Sequence, residues 1–446
     1  MLIIFAAPFL LFPSPKRSIF LLIVPLLWII SWVALKKPLF STPLNLPIML
    51  LMFMVLVSLY ATYSIEISLP KIAGMVLGVG FFFAFVYSVK SENGIKWTLL
   101  LFLLTGFGIS GVGLLGLQQF QKIGFLQPLI NRLPVALTNL PGAEGGFHPN
   151  EVAGAILWFF PLMMSLSWWL LVKRKRILQT VGPGKYSIIL IISILILLFV
   201  FMVFLLAQSR SAFLALLITF CLFLIISLPS KWRLAGGFVL ILLTSLLGWY
   251  SWQQGWVQRL YEVTTSGDTT ASVVTLNGRV EIWSRAIYGI QDFPFTGMGM
   301  NTFRKIMPIL YPLFTISPEV DIGHAHNEFL QAALDLGIPG LIALIAIYFV
   351  AFSMLFQTWQ KSGRHSFTRS ARGLDKILLS SSGIKALSMG IFASLLAHAL
   401  YGLTDAVALG AKPGILFWML LGLTAGLHAL VCGDVIIKRR TINHES

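Results

Sequence analysis

Uninterrupted apolar runs of about 18 residues or more recur along this chain, and each can cross a bilayer as a helix. The other spanning structure, a closed barrel, would show alternating segments of about ten residues, and none are seen. Of 446 residues, 57% are hydrophobic and 11% are charged. Mean hydropathy is +0.87. The expected fold is therefore all-α: a polytopic integral membrane helical bundle of about 12 transmembrane helices. No cleaved signal peptide is expected, because Pro8 interrupts the first apolar segment and no small-residue cleavage site follows. Cys221 and Cys432 both lie in apolar runs and cannot build a disulfide framework.

The expected spans are Leu2–Phe12, Ile19–Ala34, Leu46–Ala61, Ile72–Val89, Trp97–Leu117, Val152–Val172, Ser187–Ala207, Ser211–Leu228, Leu234–Tyr250, Ile338–Phe356, Ile384–Leu403 and Pro413–Cys432. The first is short, and eleven full spans are the alternative. The formal net charge is +16. In a soluble chain that would suggest nucleic acid. Here "KRKR" at 173–176, "SKWR" at 230–233, the basic loop 357–385 and "KRR" at 438–440 all fall on one side if the spans alternate. That side is the cytoplasm. It holds 20 Lys/Arg and 4 Asp/Glu, against 12 of each outside. The whole excess is thus a topology signal, and no nucleic-acid partner is expected. Lys16 and Arg17 are the main exception. The Ser- and Gly-rich loop 357–385 reads as topology and anionic-lipid contact.

Two outer segments are long, 118–151 and 251–337, and long loops in a compact membrane protein are usually functional. They hold His148, His324 and His326. In "DIGHAHNEFLQAALDLGIPG" (321–340), Asn327 or His326 can cap a helix that runs to Gly337. Gly337 suits the position after that helix and Pro339 the first turn of the next. Glu328, Gln331 and Asp335 form a polar stripe, so the helix reads as amphipathic and interfacial. Its start is a ready anion site. Zinc is the second reading, because His-x-His with a nearby Asp can ligate it. However, the spacing is not that of an HExxH zinc protease, and no Cys or second His pair stands nearby.

Four further constellations gather at the outer face. "QSR" at 208–210 joins two apolar runs almost without a loop and fixes Arg210 at the membrane face, where an arginine is costly. In "NGRVEIWSRAIYGI" (277–290), Val280, Trp283, Ile287 and Ile290 mark an apolar helix face. There Glu281 and Arg285 pair at i, i+4. Arg279 lacks such a partner and sits near a helix start, where a cation is disfavoured by roughly 0.3–1 kcal/mol; an anionic ligand would explain it better. "EGGFHPNEVAG" (144–154) brings His148 and Asn150 to the same side, as cavity lining or as a Gly/Pro turn with an Asn cap. In "HALYGLTD" (398–405), His398 and Asp405 read first as a buried hydrogen-bonded pair. Two arginines and a helix start suggest a phosphate-bearing ligand. A nearby histidine suggests proton transfer.

These segments resemble the O-antigen ligase/O-antigen polymerase family of bacterial membrane glycosyltransferases. The resemblance rests on "QSRSAFLAL", "GRVEIWSRAIYGIQDFPFTGMGMNTF" and "HAHNEFLQAALDLGIPGLIALI", with "HPNEVAG" and "HALYGLTD…FWMLLGL", and covers about residues 145–432. It implies transfer of a glycan from an undecaprenyl-pyrophosphate carrier to an acceptor such as another glycan or lipid A core. It implies a metal-independent reaction with no cofactor, on the periplasmic face of the bacterial inner membrane. Arg210 matches the family's "SR" arginine, Arg279 the arginine of its "R…W" motif, and His326 the histidine of its "HN" motif. His324 stands two residues earlier, so either histidine can carry the chemistry. Asn327, Glu328, His148 and Asn150 join the arginines as candidate substrate-binding residues, with Glu328 a candidate to orient a histidine. The alternatives are a polymerase using two lipid-linked substrates and, outside the enzymes, a polytopic lipid-glycan transporter. A transporter would show broken helices and inverted repeats.

Overall fold

The computed structural model describes residues 19, 21–35, 41–89, 94–118, 126–132, 136–137, 146–227, 230–253, 276–314, 316, 320–363 and 373–433. Their regular structure is helical, with one isolated bridge between Leu117 and Phe147. The helices follow the apolar runs. The first half holds α1 (Ile23–Leu35), α2 (Asn45–Ala61), α3 (Ile65–Val89), α4 (Gly94–Leu115) and the single turn α5 (Gln127–Ile130). Next come α6 (Pro149–Leu157), α7 (Phe160–Val172), α8 (Arg174–Val181), α9 (Pro183–Leu206), α10 (Arg210–Ser227) and α11 (Ser230–Gln253). The last third holds α12 (Leu276–Asp292), α13 (Phe303–Leu310), α14 (Glu328–Lys361), α15 (Gly373–Leu378), α16 (Ser381–Gly402) and α17 (Ile415–Cys432).

Among the described residues, six helical stretches are long and apolar enough to cross a membrane: α3, α4, α9, α14, α16 and Lys412–Cys432, which includes α17. The bent pair α6–α7 would make seven. α2 and the Arg210–Ile225 part of α10 are apolar but shorter. By this measure the described residues hold six or seven of the 12 expected spans. α1, with 13 residues, and α11, with 24, coincide with two further expected spans, and Leu2–Phe12 lies outside the described residues. The chain is a multi-pass, all-α membrane protein.

The sixth expected span, Val152–Val172, is not one straight helix: α6 and α7 meet at 41°. Pro161 explains the break, because it has no N–H for the Leu157 carbonyl and its ring clashes with that carbonyl. Trp158 and Phe159 bond instead to Ala155 and Ile156 in a tighter turn.

The bundle is built around α17, whose most apolar window is 78% buried. Small residues let it approach α3 closely. A Cβ at Gly422 would lie 2.5 Å from Phe85 Cβ, and one at Gly426 would lie 2.6 Å from Val89 Cβ. α9 is the converse, with a window hydropathy of 3.5 and only 17% burial. A helix that is apolar all round and so little buried has lipid as its solvent.

Asn327 caps α14, its Oδ1 accepting from Phe329 N (3.0 Å) and Leu330 N (2.9 Å). Gly337 interrupts the helix at φ 72°, ψ 176°. The break frees a carbonyl and an N–H, and the preceding loop takes both: Met298 N donates to Leu334 O at 2.6 Å, and Ile338 N donates to Pro294 O at 2.7 Å. A Cβ at Gly337 would lie 2.3 Å from Phe295 O, so only glycine fits here.

Two sequence expectations change. The stripe Glu328, Gln331, Asp335 does not face an interface; all three are buried. Gln331 joins Asp335 (2.8 Å) to the Ala325 amide (2.8 Å), and Asp335 accepts from Asn301 N at 3.1 Å, so the stripe fastens loops to the helix. On α12 the buried face carries Ile282, Ala286 and Gly289, while Val280 is 55% and Ile287 45% exposed. Small residues win that face because α12 packs close on α14: a Cβ at Gly289 would lie 2.9 Å from a Leu334 methyl. The Glu281–Arg285 pair forms as expected, at 3.6 Å.

Candidate functional site

Five segments converge at one end of the bundle: the starts of α6 and α10, the first turn of α12, residues 324–327, and the turn after α16. Asp405 ties them together. It is 1% exposed. Its Oδ2 accepts from Asn150 Nδ2 at 2.6 Å and from Arg279 at 3.0 Å. Its Oδ1 lies 3.2 Å from His326 Nδ1 and accepts from Ala406 N at 3.0 Å. Burial alone would raise this carboxyl's pKa. The hydrogen bond from His326, the attraction of its ring and the positive charge of Arg279 outweigh burial and hold it well below the usual carboxylate range.

An ionised Asp405 can only accept, so the facing His326 Nδ1 carries the proton, and in the neutral ring the lone pair is on Nε2. The His326 backbone is left-handed, at φ 47°. That conformation costs a non-glycine residue on the order of 1 kcal/mol and survives where surroundings impose it. They do so here: the His326 N–H donates to His324 Nδ1 at 3.1 Å, and the Trp283 indole donates to His326 O at 3.4 Å. Gln208, two residues before Arg210, is also left-handed, at φ 48°.

His324 differs from its neighbour. Because Nδ1 accepts a backbone N–H, its proton sits on Nε2 and that nitrogen is a donor. Burial holds its pKa well below the usual histidine range, and the charges of His326, His148 and Lys71 add to this against the pull of Asp405. The two rings meet edge to face, with centroids 4.4 Å apart.

Arg279 is not unpaired, as its helix neighbours suggested. Besides Asp405 it donates to Thr404 O at 2.6 Å and Ser211 Oγ at 3.3 Å. Its partners lie 126, 125 and 68 residues away, beyond any i, i+4 argument. Its Nε is buried with no partner among the described residues, and so is the Ser209 hydroxyl at the head of α10. Arg210 starts α10 and is exposed. Its neighbour Ser211 touches Arg279, so both arginines serve one end of the site.

The remaining candidates divide. Asn150 joins the cluster through Asp405, while His148 caps α6 by accepting from Asn150 N at 3.2 Å. Asn327 is occupied by its cap and by a 2.9 Å bond from Nδ2 to Leu403 O. Glu328 does sit by a histidine, but the histidine is His398: Oε2 lies 3.2 Å from His398 Nδ1. His398 is fully buried, stacks on Trp158 at 3.9 Å and lies 3.3 Å from the Tyr348 hydroxyl. The expected His398–Asp405 pair is therefore replaced by two separate clusters. α16 ends at Gly402 and the chain turns, which carries Asp405 away from His398 toward Arg279 and His326.

His324, His326 and Asp405 place ligand atoms within 4.8 Å of one another, a spacing a cation could bridge. Asp405 is the third ligand that sequence spacing did not supply. Against such use, His324 Nδ1 and both Asp405 oxygens already hold hydrogen bonds. Lys71 on α3 was counted only as a loop charge, yet it acts electrostatically on His324 and Asp335. Only the chain fold reveals that.

The fold and the site together define a polytopic helical membrane protein with a buried His–Asp–Arg cluster at one end of its bundle. Residues 195–345 match the family model described as O-antigen ligase, which supports the O-antigen ligase superfamily for this chain. It also supports a membrane function in glycan processing of the ligase/polymerase kind. The matched segment carries Arg210, Arg279, His324 and His326; Asp405 and Asn150 lie outside it. No curated protein matches the chain.

Proposed function

We propose that the protein is a glycosyltransferase that moves a glycan from undecaprenyl pyrophosphate to an acceptor hydroxyl at the periplasmic face of the bacterial inner membrane. The observation that carries the reading is the link Arg279–Asp405–His326: an ionised carboxylate holds a cation with one oxygen and the Nδ1–H of a histidine with the other. That leaves His326 Nε2 as a base. The acceptor oxygen attacks the anomeric carbon and loses its proton to Nε2. The bond from that carbon to the pyrophosphate oxygen breaks, and the lipid pyrophosphate leaves with the electron pair. Arg279, Arg210 and the head of α10 face its developing charge. The Arg279 Nε and Ser209 hydroxyl, buried without a partner among the described residues, are donors that a phosphate oxygen entering the site would satisfy. His324 offers an Nε2–H to the donor. Asn150 holds Asp405, His148 caps the helix that carries Asn150, and Asn327 ties the start of α14 to Leu403.

The test is transfer from a lipid-linked oligosaccharide by purified protein carrying Arg210→Ala, Arg279→Ala or His326→Ala. Loss of the base is expected to cost about 10²–10⁴-fold. Full activity in all three variants would end the proposal. Chelation is expected to leave transfer unchanged; activity lost to a chelator and restored by zinc would instead turn the His324–His326–Asp405 cluster into a metal centre. Offering lipid A core, a second lipid-linked glycan or a protein as acceptor separates ligase from polymerase. Lipid movement across vesicles without a new glycosidic bond would favour a transporter.

A further inference from the structure

The other end of α16 carries a second site. A groove of about 750 Å³ opens between α7, α8 and the start of α16. Lys173, Lys175, Arg176 and Lys385 line it, beside the hydroxyls of Ser165, Ser381 and Ser382, with Trp168, Trp169, Val172 and Met389 as apolar wall. No Asp or Glu lines it among the described residues. On α15, which packs against α8, Asp375 is already engaged by Lys96, at 3.5 Å from Nζ and 3.1 Å from the backbone N. The groove is held in shape: Trp169 Nε1 donates to Ser382 Oγ at 3.2 Å, and Ser165 Oγ donates to Ala386 O at 2.8 Å. Lys385 rests over Trp359 of α14 at 5.5 Å, so a fourth helix positions one of the cations.

Four cations in one groove without a carboxylate repel one another unless an anion joins them. Several features identify that anion. The start of α16 adds partial positive charge, and hydroxyls stand beside the cations. The wall residues Trp168, Val172 and Met389 are exposed on the flank of a bundle whose solvent is lipid. A soluble anion has no use for that wall, whereas a phospholipid lays its chains along it. α16 has 22 residues, so the groove stands about 33 Å from the Asp405 cluster, near the thickness of a bilayer core.

We propose that this groove is a binding site for the phosphate headgroup of an anionic phospholipid, on the membrane face opposite the His326 site. The test uses full-length protein in non-ionic detergent, stripped of lipid and titrated by native mass spectrometry with phosphatidylglycerol, phosphatidylcholine or inorganic phosphate. Phosphatidylglycerol is expected to bind in preference to phosphatidylcholine, and millimolar phosphate is not expected to displace it. The variant K175Q/R176Q/K385Q is expected to lose at least about tenfold in that affinity. The charge-matched control K185Q/K231Q/K376Q, whose residues lie outside the groove, is expected to keep it. K385Q alone, which leaves α8 untouched, is expected to weaken binding in the same direction. Equal loss in the control would reduce the site to general attraction between basic loops and anionic lipid. Indifference to headgroup charge would refute it, and displacement by phosphate would reassign the groove to a soluble anion.

Discussion

The two ends of α16 handle charge in opposite ways. At Gly402–Asp405 every ionised group answers another: Asp405 holds Arg279 and faces His326, all within 3.2 Å. At Ser381–Lys385 the cations line an open groove without a carboxylate. Buried charge must be paired, because removing one member strands the other in a medium that solvates it poorly. Exposed charge can stay unpaired, since water and salt screen it. The buried end therefore fixes which groups face one another, as proton transfer needs. The open end keeps its charge available for a ligand.

The most severe way to break this contrast is Asp405→Ala. It strands Arg279, removes the partner of His326 Nδ1 and frees the Asn150 amide. Breaking one side of a buried pair costs about 3–5 kcal/mol. Thermal unfolding should therefore fall sharply, and transfer should drop with it. Wild-type unfolding in this variant would mean that the cluster is no buried network. Asp405→Asn sharpens the point. It keeps the shape but cannot accept from His326 and Arg279 together as a carboxylate does, so activity should fall further than stability.

A smaller effect separates His324 from Asp405 by pH. Folding holds His324 neutral, because burial keeps its pKa well below the usual histidine range. As pH falls below about 6.5, the unfolded chain takes up a proton that folded His324 refuses, so stability decreases with falling pH. Asp405 acts later. Its depressed folded value makes its contribution complete above the ordinary carboxylate range, about 4, and lost only below it. Between pH 5 and 6.5 the difference between wild type and His324→Gln should therefore grow in favour of the variant as pH drops. Parallel curves in denaturant or heat would show that His324 titrates as an ordinary surface histidine.

Much of this was legible in the sequence. The apolar runs place the helices, and Asn327, Gly337 and Pro339 each take the position their chemistry suits. The break at Pro161 was readable too, since a proline cannot bond to the carbonyl four residues back. The buried face of α12 was not. Val280 and Ile287 outweigh Ala286 and Gly289 in hydropathy, but close packing selects small residues. At the site, Arg279 and His326 were visible as costly polar groups in a greasy chain. Their shared partner was not, because Asp405 lies 126 and 79 residues away and no local pattern spans that distance. For the same reason Arg279 looked unpaired and Glu328 looked free to serve His326.

The mildest test concerns the open end alone. If its cations repel one another in lipid-free protein, salt should stabilise the wild type slightly, with most of the gain complete when the screening length falls from about 10 Å at 0.1 M toward 3 Å at 1 M. Removing one charge by Lys175→Gln should mimic the salt: a change within about 0.5 kcal/mol, stabilising at low ionic strength and vanishing at high. Added phosphatidylglycerol should reverse the order, because the anion turns the same cations from a cost into a contact. The Asp405 cluster should ignore both treatments, since its charges already answer one another. A salt response of equal size in Asp405→Ala and Lys175→Gln would erase the distinction between the two ends of α16.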